Sequence, residues 1–81
     1  MKKKIESKIK TIIAKSLKIK KTNIRPTLKA SNCKNWDSLN FLTLVSNLEK
    51  GFKTKFNYKE MIMLDSYKNI INVINRKFKN E

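Results

Sequence analysis

Asn35-Trp36-Asp37-Ser38-Leu39 opens the stretch whose reading decides the fold, because Phe41, Leu42, Leu44, Val45, Leu48 and Phe52 follow it at helical spacing. A period near 3.6 gathers those side chains on one face, so the segment reads as an amphipathic helix. Asp37 is a suitable N-cap, its carboxylate accepting from backbone N–H groups that the first turn leaves unpaired. Ser38 then falls in the first turn with its hydroxyl toward solvent. Gly51 weakens the helix and offers a stop near its end.

Working outward, Ile5, Ile9, Ile12, Ile13 and Leu17 recur at the same spacing, which predicts a helix over 2–17 with lysines on its solvated face. Between Ile19 and Trp36 the periodicity fails, and Asn23, Pro26, Asn32 and Asn35 supply turn chemistry. This is a long loop, pinned by Ile24 and Leu28. Loops of such length in a small domain are usually functional or packed compactly on the surface. On the other side, Asn57 and Glu60 resemble a capping box opening a short helix through Met61, Ile62 and Leu64. Asp65 or Ser66 caps a last helix whose stripe is Tyr67, Ile70, Ile71, Ile74 and Phe78, ended by the polar Lys79-Asn80-Glu81.

Four apolar stripes that cannot be buried alone must converge, and no strand pattern competes with them. The expected fold is all-α, a small four-helix bundle of three main helices and one short helix, with a long loop between helices 1 and 2. The Met and aromatic residues of the stripes are expected in the core. At 81 residues the chain fits one domain, 1–81, without room for a cleft between domains.

The residue inventory narrows the function. With no His, one Cys and one Pro, the usual metal clusters and Ser/His or Cys/His catalytic pairs cannot be assembled. An enzyme is not expected, nor a metal site. Cys33 cannot form an internal disulfide and reads as an incidental loop or core-edge residue. Lys2-Lys3-Lys4 could begin a signal peptide, but Lys8, Lys10 and Lys15 interrupt any apolar stretch behind them. No apolar run approaches membrane-spanning length, so a soluble, cytoplasmic monomer is expected.

Twenty Lys and Arg against six Asp and Glu give a formal charge of +14. Residues 1–34 hold twelve of the basic residues and one acid, so the excess belongs to the first part of the chain. One reading is a Lys-rich helical module that binds nucleic acid or an anionic membrane surface non-specifically. Against base recognition, only Arg25 and Arg76 offer the planar fork that pairs with guanine. The abundance of Lys, Asn and Ile together also matches A/T-rich coding.

An ordinary first-turn serine is the plainest account of Ser38. A hydroxyl there also sits beside unpaired N–H groups and the positive end of the helix dipole, which suits an attached phosphate. Here the chain resembles the acyl carrier protein family, the phosphopantetheine-attachment carrier domains. The resemblance rests on Trp36-Asp37-Ser38-Leu39, then Leu42, Leu44, Val45, Leu48-Glu49 and Phe52, with Phe56 beyond and Leu64-Asp65-Ser66-Tyr67 leading into Ile70-Ile71. It covers nearly all of residues 5–78.

The resemblance implies that Ser38 carries a covalent 4'-phosphopantetheine, transferred from coenzyme A by a separate magnesium-dependent phosphopantetheinyl transferase. Its terminal thiol would hold an acyl or aminoacyl group as a thioester. Asp37 would cap the helix and shape the transferase contact, and Leu39 would lie near the arm. Acyl- or aminoacyl-loading and acyltransfer enzymes would be the partners, with no nucleic acid. The chemistry would then belong to the cofactor and those enzymes. The family's second helix is usually acidic, whereas Asn40, Thr43 and Asn47 hold its expected exposed positions here, and Lys50 offsets Glu49. Attraction to a basic partner is thereby reduced, which points to a dedicated carrier in a specialised pathway.

Overall fold

The structure, a computed structural model, describes residues 2–78, so the expected polar ending Lys79-Asn80-Glu81 lies outside it. Its helices are α1 (Lys2–Leu17), α2 (Ser38–Phe52), α3 (Tyr58–Met63) and α4 (Tyr67–Lys77), with no strand among the described residues. The chain is a small all-α bundle of three main helices and one short one. None of these helices is long and apolar enough to cross a membrane.

The stripes converge as their periodicity requires. Ile9, Ile13 and Leu17 of α1, Leu44 and Leu48 of α2, and Ile70 and Ile74 of α4 are fully buried. Burying each such side chain contributes about 1.5–3 kcal/mol relative to leaving it in water. Val73 is buried as well, a position the sequence reading passed over, while Ile71 and Phe78 are only half-buried. Leu42 and Ile62 depart from expectation, being 58% and 59% exposed. Their neighbours Phe41 and Met61 turn partly inward instead, so the apolar run is wider than the face it buries.

α1 lies chiefly against α2. Gly51 permits this approach, because a Cβ there would stand 2.7 Å from Ile12 Cδ1. The glycine therefore does not stop the helix. α2 continues to Phe52 and ends on Lys53, whose φ of 51° is left-handed, with the Thr54 N–H returning to the Glu49 carbonyl at 3.0 Å. α1 ends in the same way: Lys18 has φ 58°, and the Ile19 N–H reaches the Ala14 carbonyl at 3.1 Å. Lysine occupies both positions where glycine is conformationally favoured.

Polar side chains fix the remaining joints. Ser16 is buried between α1 and α2, and its Oγ accepts from Asn47 Nδ2 at 2.9 Å. Asn47, expected to be exposed, is half-buried because it satisfies that hydroxyl. The capping box of α3 forms reciprocally: Asn57 Oδ1 accepts the Glu60 N–H at 2.8 Å, and Glu60 Oε1 accepts the Asn57 N–H at 2.9 Å. Ser66 caps α4, while Asp65 accepts instead from Asn69 Nδ2 at 2.8 Å.

The connection between α1 and α2 is compact. It contains one-turn 3₁₀ segments at Lys21–Asn23 and Ala30–Asn32, with Ile24 buried and Leu28 half-buried as its apolar pins. The Ala30 N–H donates to the Asp65 carbonyl, and the Tyr67 N–H donates to the Leu28 carbonyl, each at 2.9 Å. These bonds fasten the loop to the start of α4. Backbone groups that a structureless loop would leave to water are thereby paired.

Candidate functional site

Ser38 is the first residue of α2 and is exposed. Asp37 precedes it in extended conformation, and its Oδ1 accepts the Asn40 N–H at 2.8 Å. The helix start is therefore set by a side-chain cap, and the Phe41 N–H closes the first turn onto the Asp37 carbonyl at 2.8 Å. Ser38 Oγ makes no hydrogen bond among the described residues. Its hydroxyl faces outward at the positive end of the helix, beside first-turn N–H groups without intrahelical acceptors.

The residues before the serine hold it in place. Trp36 is buried, and its N–H donates to the Cys33 carbonyl at 3.0 Å. Asn35 Nδ2 donates to the Leu17 carbonyl at 2.9 Å, and Asn40 Nδ2 donates to the Asn35 carbonyl at 2.9 Å. Asn40, expected to be exposed, is half-buried by that bond. Together these contacts tie the start of α2 to the end of α1. Cys33 is half-buried against the core, in keeping with a core-edge role.

A groove of about 310 Å³ opens beside Ser38. Trp36, Phe41, Met61, Ile62 and Leu64 supply apolar wall, while Asp37, Ser38 and Asp65 supply polar edge. Around it Leu39 is 73% exposed, and Leu42, Ile62 and Met63 are exposed as well. Thus Ser38, Asp37 and Leu39, chosen from the sequence, stand together at one end of α2. The α3 wall was missed, because Met61, Ile62 and Met63 fit a core stripe equally well before their orientation is known.

Two titratable groups on the neighbouring helices are shifted from their ordinary values. Glu60, on α3, has its carboxyl held below the ordinary value of 4.5, first by the Asn57 N–H and further by Lys77 at 3.1 Å. Burial raises the Tyr67 phenol, aided by the Glu6 carboxylate. No group of three or more Cys, Asp or Glu capable of holding a metal occurs among the described residues. Searches with this sequence find no protein-family model and no curated protein that matches it.

Proposed function

We propose that this protein is a carrier of the acyl carrier type, holding an acyl or aminoacyl intermediate as a thioester on a 4'-phosphopantetheine arm attached to Ser38. The observation that carries the reading is the free, outward Ser38 hydroxyl on a helix start capped by Asp37, at the edge of an apolar groove. In the attachment step Ser38 Oγ bonds to the phosphopantetheine phosphorus of coenzyme A. The hydroxyl proton is lost, and adenosine 3',5'-bisphosphate leaves.

The residues present suit such a group. The phosphodiester would sit where the helix dipole and first-turn N–H groups favour negative charge. The arm, once bound, supplies the thiol that holds the cargo. Phe41, Met61 and Ile62 offer apolar surface along which it can lie. Leu39 and Leu42, exposed apolar side chains of α2, would meet a transferase or an acyltransfer enzyme. Tethering raises the effective concentration of the cargo before each such partner. The near-neutral α2 favours a dedicated set of partners in a specialised pathway.

Intact-mass measurement after incubation with coenzyme A, magnesium and a broad-specificity phosphopantetheinyl transferase tests the reading. The native protein gains one phosphopantetheine, and Ser38→Ala gains none. An unmodified native protein, with every transferase that labels a control carrier, overturns it. Asp37→Ala should separately cost about 1 kcal/mol through the lost cap.

A further inference from the structure

The solvent face of α1 and the turn after it carry the strongest charge on the molecule. Lys4, Lys8, Lys15, Lys18, Lys20 and Lys21 are all exposed there, and Arg25 follows. Glu6, half-buried, is the only acid in residues 1–34. Among the described basic residues, Lys77 alone pairs with a carboxylate. Lys8 rests over the Phe52 ring at 4.9 Å, and Lys21 Nζ donates to Ser7 Oγ at 3.3 Å, so the loop adds its charge to the same face. Neither contact neutralises the charge, and none of these cations pairs with a carboxylate among the described residues.

The carboxylates that follow in the chain are differently employed. Asp37 caps α2, Glu49 Oε2 accepts the Phe56 N–H at 2.9 Å, Glu60 closes the capping box, and Asp65 binds Asn69. Each already accepts a hydrogen bond within the fold, whereas the lysines of α1 and its following turn meet no carboxylate among the described residues. The end of the lysine-bearing helix is tied to the serine segment through the backbone: Asn35 Nδ2, three residues before Ser38, also reaches the Lys18 carbonyl at 3.4 Å. From Lys4 to Lys18 the face extends about 21 Å at the helical rise of 1.5 Å per residue.

We propose that this face docks an acidic protein surface, and that the enzymes serving Ser38 present carboxylates to α1 and its following turn. The inference rests on the carrier reading above and adds the charge of its partners. Opposite charge steers association, and like charge suppresses the wrong partner. An anionic membrane is less favoured, because Ile9, Ile13 and Leu17 are buried in the core and leave α1 no apolar side to insert. Nucleic acid would find charge here but few arginines for base edges.

The test uses the unmodified, isotope-labelled full chain, so that it does not depend on loading of Ser38. Amide NMR shifts are followed on titration with poly-L-glutamate, a random-sequence DNA duplex, and phosphatidylcholine vesicles containing phosphatidylglycerol, at low and at physiological salt. Poly-L-glutamate should perturb the solvent face of α1 and the Lys20–Lys21 turn. The triple variant Lys4→Glu/Lys15→Glu/Lys20→Glu should weaken binding about tenfold. Lys68→Glu/Arg76→Glu, which reverses charge on α4, should weaken it much less. Shifts spread evenly over α1 and α4, or equal losses from the two variants, overturn the proposal. Duplex or vesicle binding that survives physiological salt when poly-L-glutamate binding does not would also overturn it, assigning the face to that ligand. Loss of the native spectrum in the triple variant would leave the perturbation map of the native chain to decide.

Discussion

The side-chain amide of Asn35 donates to the backbone carbonyl of Leu17 at 2.9 Å, joining the residue before Trp36-Asp37-Ser38 to the last turn of α1. Terminal helix carbonyls have no intrahelical donor, so this bond satisfies one of them and fixes the serine loop at the same time. Asn35→Ala should destabilise the protein by about 1 kcal/mol. Asn35→Asp should cost more, since a carboxylate offers no donor and repels the Leu17 carbonyl. Urea midpoints of the two variants against the native chain check the order.

Lys18 and Lys53 both hold left-handed backbone at helix ends. A side chain with a Cβ pays a steric cost there that glycine avoids, although glycine also loses more chain entropy on folding. Lys53→Gly and Lys18→Gly should each raise stability, by about 0.5–1 kcal/mol. The same change at Lys50, inside α2, should lower it by about 1 kcal/mol. Thermal unfolding of the three variants gives the contrast in sign.

Those ends also show why the sequence was only partly legible. Helix stops are commonly written with glycine, and Gly51 offers such a stop, yet it lies within α2 where it admits Ile12. The stop came two residues later on a lysine, for which no local signal exists. Caps were clearer, because Asp37, Asn57 and Ser66 each have a short acceptor at a position where the backbone needs one. The serine and its flanks could thus be located from residues alone. The α3 wall of the groove could not, since a short apolar helix has too few residues to declare which face turns inward.

Glu60 gives a pH dependence of definite sign. Its folded carboxyl is held below 4.5 by the Asn57 N–H and by Lys77, so the unfolded chain binds its proton first as pH falls. The stabilisation is complete above the unfolded value and is lost as pH drops through the folded one. Glu60→Gln should therefore be less stable than the native chain at neutral pH, and the gap should close below pH 4.5. A gap that widens on acidification would reverse the assignment.

Salt should stabilise this protein. A formal +14 with Lys77–Glu60 as the one described ion pair means that screening removes far more repulsion than attraction. The melting temperature should rise as sodium chloride is raised from low to physiological concentration. A fall would mean that attractive pairs dominate instead.

Because Asp37, Glu49, Glu60 and Asp65 each accept a hydrogen bond within the fold while the described lysines other than Lys77 pair with no carboxylate, fold and surface charge are separable in this chain. Lysines at Lys4, Lys15, Lys20 and Lys59 could be replaced by glutamate without touching a cap or a core contact, removing more than half of the formal +14 while keeping the same architecture. Redesign of partner choice could then proceed on the exterior alone, leaving the serine and its supporting bonds intact.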